Sequence, residues 1–309
     1  MELVINPPQQ VFDQLIDLAA ETNGWAHQAY DYRFYSTSYD GYWFVTVIDK
    51  EKEEFNNLVA GVSLARWDAK NDGPLYSIGL YYCKEEYRGK GYGKQVFDAI
   101  MDIVGDDTCA LFSAVNMSKK YSEVFGFDNL SPYWIMEAKI DPSKFKIPKN
   151  LDSDVIVKDW KEVDEAQLEA YDLTICSRNR KKIMRNWFQQ DEVYTRVAID
   201  SNQKIVGYCT IRVVNLNRIR ASPFYAENGE IAAKLLAETV KIIPNFEKFD
   251  QLKFYYPSVN KEMESLLPKF LPADGYTVKE NNRVQFTKNF IKSRDEAVYS
   301  VSCTTHQYI

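Results

Sequence analysis

The sequence predicts an α/β (α+β) fold of two similar domains, each a mixed, mostly antiparallel sheet flanked by helices. The chain has 309 residues, which is too long for one ordinary hydrophobic core and suits two domains of about 150 residues each. One order of elements fits both halves: a strand, two helices, three strands, a helix, a strand, a helix and a strand. Residues 141–154 between the halves are polar and broken by prolines, as linkers are.

The elements of the first half follow from the spacing of its apolar residues. Apolar side chains recur at helical spacing over residues 9–21, and Asn23 and Gly24 end that helix. Alternating or continuous short apolar runs that end at turn residues are typical of strands. The predicted strands are residues 2–6, 41–49, 58–66, 75–83, 109–115 and 133–140, the predicted helices are 9–21, 25–39, 91–104 and 117–125, and a polar turn covers 68–74.

The second half repeats this order with different residues. Its clearest helix, residues 229–240, places Ile231, Leu235, Leu236 and Val240 on one face. Identity between the halves is low, so the duplication is inferred from the pattern of elements alone. The predicted strands are residues 155–158, 193–199, 204–214, 218–226 and 251–256, the helices are 163–175, 179–188, 229–240 and 260–270, and a hairpin-like end covers 275–288.

Composition excludes several classes of protein. The net charge of −6 argues against a nucleic-acid partner. The sequence contains no apolar stretch of about 18 residues, so we predict no membrane-spanning helix. The first residues do not resemble a signal peptide. Five scattered cysteines are typical of reduced thiols in a cytoplasmic protein. With only His27 and His306, the latter in an end expected to be mobile, we predict no metal site and no catalytic triad.

Residues 76–94 carry the pattern with the clearest chemistry. An apolar strand runs into Arg88-Gly89-Lys90-Gly91-Tyr92-Gly93-Lys94, where three glycines open an amphipathic helix. Glycine lets the backbone approach a ligand closely, and the unpaired N–H groups of a first helical turn favour an anion. Because the basic side chains add positive charge, the segment predicts a diphosphate site. The spacing fits neither a P-loop nor a dinucleotide fingerprint.

This arrangement resembles the GNAT (Gcn5-related N-acetyltransferase) superfamily. The superfamily signature Gln/Arg-x-x-Gly-x-Gly/Ala corresponds to residues 88–93, and the preceding strand and acidic lead-in also match. The resemblance implies that acetyl-CoA, or another acyl-CoA, binds here as the cofactor. The cofactor-binding residues that it implies are Tyr81, Tyr82, Cys83, Arg88, Gly89, Lys90, Gly91, Tyr92, Gly93, Lys94 and Asn116.

Residues 116–127 resemble the second motif of the same superfamily. Asn116 would contact the cofactor arm, and Tyr121 would protonate the departing thiolate of coenzyme A. Five positions separate Tyr121 from Gly126, where four are commonest in the superfamily. Either the helix carries an extra residue, or Tyr121 faces away from the thiolate.

The resemblance implies direct acyl transfer to an amine. Glu85, Glu86 or a chain of water molecules would take the proton from that amine, and the sequence does not rank them. A covalent acyl-enzyme on Cys83 is disfavoured, because no histidine lies nearby in the sequence.

The corresponding turn of the second half, residues 223–230, lacks the arginine and the Gly-x-Gly and carries Glu227 and Glu230. It resembles the degenerate second domain of tandem GNAT proteins, for which a structural or acceptor-binding role is favoured. A second coenzyme-A site stays open, since helix amides alone could hold a phosphate. The predicted organisation is an N-terminal GNAT domain (1–145), a degenerate GNAT-like domain (146–290) and a tail (291–309).

The predicted function is transfer of an acyl group from coenzyme A to a primary amine of a small molecule or peptide. The acidic charge balance mildly favours cationic amines as acceptors. One alternative is a regulatory protein that binds acyl-CoA but has lost catalysis. Another is a protein-interaction scaffold with no affinity for coenzyme A.

Overall fold

A computed structural model describes residues 1–28, 30–68, 73–151 and 153–306. Within these residues the chain forms eight α-helices and fourteen β-strands. Parts of four predicted segments lie outside the described residues: 29 of the helix predicted over 25–39, 69–72 of the turn, 152 of the linker and 307–309 of the tail.

The helices and strands follow the predicted order, except for two short strands that were not predicted, residues 129–130 and 298–300, and for differences at the ends of elements. The helices are α1 Gln9–Asn23, α2 Asp31–Ser38, α3 Tyr92–Val104, α4 Ser118–Phe125, α5 Glu165–Ile175, α6 Lys181–Phe188, α7 Gly229–Val240 and α8 Glu262–Phe270. The strands are β1 Glu2–Ile5, β2 Gly41–Ile48, β3 Leu58–Trp67, β4 Leu75–Cys83, β5 Thr108–Ala114, β6 Asn129–Leu130, β7 Ile135–Ile140, β8 Ile156–Asp159, β9 Val193–Ile199, β10 Ile205–Val214, β11 Arg218–Ala226, β12 Gln251–Pro257, β13 Tyr276–Phe286 and β14 Val298–Ser300.

Helix α2 is shorter than the helix predicted over residues 25–39. Helix α1 ends as predicted at Gly24, which has a φ of +70° and donates its N–H to the carbonyls of the last turn. Residues 25–28, which follow it, belong to no helix or strand. The guanidinium of Arg218, from the second half, donates to the carbonyls of Gly24 and Trp25 at 3.2 and 2.6 Å. A partner distant in sequence therefore replaces the helical hydrogen bonds of this segment.

One large sheet joins the two halves. Its order is β1-β2-β3-β4-β5-β13-β7-β12-β11-β10-β9-β8, and β6 and β14 pair with β13 and β11 off this path. Only the pairs β4–β5 and β11–β12 are parallel among the described strands. The predicted fold class, mixed and mostly antiparallel sheets flanked by helices, is confirmed.

The two halves exchange their last strands. Strand β13, from the second half, lies between β5 and β7 of the first half, and β7 lies between β13 and β12. The hairpin predicted over residues 275–288 is therefore wrong: the segment is a single strand with a partner on each side. The domain boundary at residues 145 and 146 stays a prediction.

The helices cover both faces of the sheet. Helices α1, α2, α5 and α6 share one continuous hydrophobic core that spans both halves. On the opposite face, α3 and α4 close a core over the first half, and α7 and α8 close another over the second. In the described part of the chain, every helix is too short or too polar to cross a membrane.

The segment that follows β13 is packed against the protein. Strand β14 pairs with β11, and His306 is fully buried. The Nδ1 atom of His306 lies 3.0 Å from the carbonyl of Ser77, so it carries the proton, and Nε2 accepts from the Ser63 hydroxyl at 2.7 Å. The expectation of a mobile end is therefore wrong for the described residues up to His306.

Stability should depend on pH through His306. Burial lowers the pKa of this imidazole to about 3, while the unfolded chain binds a proton near pH 6.5. The stabilisation is therefore complete above pH 6.5 and is lost as the pH falls toward 3. Between pH 7 and pH 5 we expect the free energy of unfolding to fall by about 2 kcal/mol through this residue. Denaturant titrations at both pH values, on the native protein and on His306→Asn, should show a smaller fall in the variant. An equal fall would contradict the assignment.

Candidate active site

Strands β4 and β5 separate where they approach the start of α3. Their parallel ladder ends at Ile78 and Leu111, although β4 continues to Cys83 and β5 to Ala114. Strand β4 also carries one extra residue against β3 at this point, and Leu80 there has a φ of +50°. Such a bulge bends a strand and interrupts its pairing. The result is a gap between two strands at the carboxyl end of β4.

The glycine turn leads from this gap into α3. Gly89 and Gly91 have φ values of +77° and +90°, and open space surrounds the position of a Cβ at each. Gly91, the residue before α3, has no side chain that could cap the first turn. The Cys83 thiol faces the amide of Gly93, and the dipole of α3 adds a partial positive charge at this end. These features fit a diphosphate.

A cavity of about 850 Å³ joins the turn and the gap. Tyr81, Tyr82, Cys83, Arg88, Gly89, Gly91, Gly93, Lys94, Asn116 and Tyr121 line it, as the sequence predicts. Lys90 and Tyr92 belong to the same turn but do not line the cavity. Glu85 and Glu86 are exposed outside it, in the short 3-10 turn before Arg88. The hypothesis that either glutamate deprotonates an amine is therefore not supported.

Tyr121 faces the cavity despite the unusual spacing of its motif. The ring is 7% exposed and packs against Tyr81, Phe97, Phe125 and Phe127. Burial, aided by Tyr81, raises the pKa of Tyr121 well above its ordinary value, and burial raises the pKa of Tyr81 to about 12. Both phenols therefore keep their protons at neutral pH and can donate them.

The Cys83 thiol lies beside the turn and is poorly suited to act as a nucleophile. Burial raises its pKa, although Arg88 opposes the shift. Arg88 is held by its own hydrogen bond, from Nε to the carbonyl of Cys83 at 3.2 Å. Because a raised pKa keeps the sulfur protonated, the geometry favours direct acyl transfer over a covalent intermediate on Cys83.

The second half and residues 23–27, from the end of α1 toward α2, form the far wall of the cavity. His27 lies there with Nδ1 3.3 Å from the Asp31 carboxylate and Nε2 3.4 Å from the Thr305 hydroxyl. Burial opposes ionisation of Asp31, but Arg212 at 2.6 Å and His27 outweigh it and hold its pKa below the ordinary value. Burial lowers the pKa of His27. The imidazole is therefore neutral. Its Nδ1 carries the proton and donates it in a hydrogen bond to Asp31, and the lone pair of Nε2 points toward Thr305.

Two family models match the chain. The first, described as a protein of unknown function (DUF1248), matches residues 1–175, which is more than half of the chain. The chain therefore belongs to that family. The second, described as an acetyltransferase (GNAT) domain, matches residues 168–300.

Solved structures have the same arrangement over nearly the whole chain. A candidate acetyltransferase from Pyrococcus horikoshii has a TM-score of 0.70 at 12% identity, and the match covers 99% of this chain and 96% of the other. A tandem GNAT protein from the clavulanic acid biosynthesis pathway has a TM-score of 0.66 at 12% identity, covering 94% and 100%. This chain is a tandem GNAT protein. The fold supports acyl transfer in general, and identity this low shows nothing finer.

A Caenorhabditis elegans relative of this GNAT chain, the uncharacterized protein F36G3.2, is 28% identical over 166 residues. The match covers 52% of this chain and 52% of the relative. The chain therefore spans about half the length of the curated relative that it matches.

The second GNAT half has the same strand separation, but its own chain fills it. Strands β11 and β12 pair only from Arg218 to Arg220, and β14 enters between them beyond that point. The Ser300 side chain accepts the amide of Tyr255 at 3.0 Å and donates to the carbonyl of Ala221 at 2.7 Å. The gap of the second half that corresponds to the cavity of the first half is therefore occupied by protein.

The start of α7 is also closed to an anion. The side chain of Asn228 accepts from the amides of Glu230 and Ile231 at 3.1 and 3.0 Å, which are the groups that a phosphate would need. The possibility of a second coenzyme-A site at this turn is therefore not supported.

Sequence reasoning missed the residues of the far wall. They come from several separate segments and share no spacing that marks them as one site. They are His27, Glu137, Arg220, Lys253, Tyr255, Asn281, Asn282, Thr304 and Thr305. The sequence did contain one indication of this wall. Strands β11 and β12 carry basic residues in otherwise apolar runs, and charged residues are rarely buried in strands unless they have a partner.

Proposed function

We propose that the first half of this tandem GNAT protein transfers an acyl group from an acyl-CoA, acetyl-CoA being the simplest case, to a primary amine. One observation carries the proposal. The uncapped glycine turn at the start of α3 opens directly into the separated ends of β4 and β5, with Tyr121 on the cavity wall. An anion site, a groove for a linear arm and a proton donor therefore lie in one cavity.

Different groups of the protein would bind different parts of the cofactor. The amides of Gly89, Gly91, Gly93 and Lys94 and the side chains of Arg88, Lys94 and Lys120 would bind the phosphates. The open edge of β4 would offer backbone groups to the amides of the pantetheine arm. A bound acyl-CoA would supply an acyl group activated as a thioester.

Two protonation steps remain for the side chains. Tyr121 holds a phenolic proton that it can donate to the departing sulfur. Two groups of the cavity could accept the proton of the amine, His27 and Glu137. Burial opposes ionisation of Glu137, but Lys253, Tyr255 and Lys279 hold its pKa below the ordinary value, so it is a weak base. Burial also lowers the pKa of His27, and its Nε2 faces the Thr305 hydroxyl at 3.4 Å, so His27 and Glu137 are both candidates for the acceptor.

Two measurements on the full chain test this function. Calorimetric titration with coenzyme A and acetyl-CoA should show saturable binding at one site. Thiol release from acetyl-CoA should then depend on an added amine. Binding without release for any amine would favour the regulatory alternative, and no binding at all would exclude both and leave the scaffold alternative.

A further inference from the structure

The far end of the cavity carries a surplus of positive charge. Among the described charged residues that line the cavity, five are basic and one is acidic. Arg88, Lys94 and Lys120 lie on the first half near the glycine turn. Arg220 and Lys253 are neighbours on β11 and β12, and Glu137 is the acidic residue.

The single carboxylate does not neutralise this end. Glu137 accepts from Lys253 at 3.0 Å and from the Tyr255 hydroxyl at 2.9 Å, and its other oxygen lies 3.3 Å from Lys279. Two lysines therefore share one carboxylate. Arg218 also lies close by, with its guanidinium bound to backbone carbonyls.

Arg220 has no acidic partner among the described residues. Its side chain is 4% exposed, and its guanidinium lies over the Tyr255 ring with 4.5 Å between the guanidinium carbon and the ring centre. Its Nε has no hydrogen-bond partner within the described ranges. Its Nη2 donates to the Thr304 hydroxyl at 3.5 Å. A buried guanidinium with unused donors is costly unless an anion completes it.

We infer that Arg220 binds a carboxylate of the acceptor, so that the substrate is an amine that also carries a carboxylate, as an amino acid does. This inference rests on the proposed acyl transfer and names its acceptor class. Guanidinium and carboxylate match in geometry as well as in charge. The Tyr255 ring orients the guanidinium of Arg220 that lies over it, and the neighbouring Lys253 adds to the positive electrostatic potential. The local charge thus opposes the preference for cationic amines that the overall composition suggests.

The test compares three forms of the same acceptor on the full chain. The proteinogenic amino acids, their amides and the amines left by decarboxylation are assayed for thiol release from acetyl-CoA. For at least one side chain, kcat/KM should be 10- to 100-fold higher for the carboxylate form. Arg220→Gln should remove that preference through a higher KM for the carboxylate form, and Arg220→Lys should restore part of it. The KM for acetyl-CoA should not change in either variant.

Arg196→Gln is the matched control, because it removes a cation that pairs with Asp159 outside the cavity. Equal or better use of the neutral and decarboxylated forms by the native protein would overturn the inference and leave acyl transfer intact. A protein that does not bind acetyl-CoA would instead refute the proposed function. If acetyl-CoA binds without turnover, the carboxylate site is tested instead by calorimetric titration with the amino acids in the presence of coenzyme A. Saturable binding that Arg220→Gln abolishes supports the carboxylate site, and no binding refutes it.

Discussion

Replacing Gly91 with valine is expected to reduce affinity for coenzyme A by at least about 100-fold. Gly91 is the residue before α3 and has a φ of +90°, a conformation that a β-branched residue adopts only at a cost of about 1–3 kcal/mol. The new side chain would also enter the open space where the turn would receive the diphosphate. Relief of the strain would rotate the amides away from the anion. Calorimetric titration with coenzyme A measures the loss directly.

The opposite end of the same helix provides a matched control. Gly105 follows α3, has a φ of +56° and also has open space around its Cβ position. Gly105→Val therefore carries a comparable backbone strain, but the residue does not line the cavity. We expect lower thermal stability with unchanged affinity. Equal losses of affinity in the two variants would show that strain, and not the phosphate site, explains the effect at Gly91.

Tyr121→Phe is expected to lower kcat by about 100-fold while the KM for acetyl-CoA stays near its native value. The variant keeps the ring that packs between Tyr81 and Phe97 and removes only the hydroxyl. A positioned general acid contributes at least this much to a proton transfer. Because burial raises the pKa of Tyr121, the donor stays protonated as the pH rises to 10. The native rate should therefore show no loss from this group up to that pH.

Tyr76→Phe is the control for the lost hydroxyl. Tyr76 is a buried tyrosine of the same strand as Tyr81 and does not line the cavity, so its variant should keep the native rate. Rates measured at saturating acetyl-CoA compare the two variants, Tyr76→Phe and Tyr121→Phe, directly. Full activity in Tyr121→Phe would exclude it as the proton donor and direct attention to Tyr81.

The sequence predicts the local parts of the structure well. The run from β4 through the glycine turn and α3, residues 75–104, has a clear apolar strand, three glycines and an amphipathic helix. Tyr121 follows on α4 and indeed faces the cavity. Such features depend on neighbours in the chain, and periodicity encodes them directly.

The far wall and the strand exchange could not be predicted in the same way. Periodicity marks β13 as a strand, but nothing in residues 276–286 indicates that β5 and β7 are its partners. The cavity position of Arg220 depends on this pairing, since the order of strands brings the second half against the first. The last described segment, up to His306, belongs to the predicted tail, residues 291–309. Its burial comes from contacts with residues far away in sequence.

The exchanged strands affect how the protein is made. As the ribosome releases the chain, the first 145 residues emerge with β5 and β7 each lacking the neighbour that β13 later supplies. Thr304 and Thr305, which lie in the cavity wall, emerge later still. The nascent first half must therefore wait with two open strand edges, which are prone to aggregate. A complete cavity would thus form only after Thr304 and Thr305 have been translated.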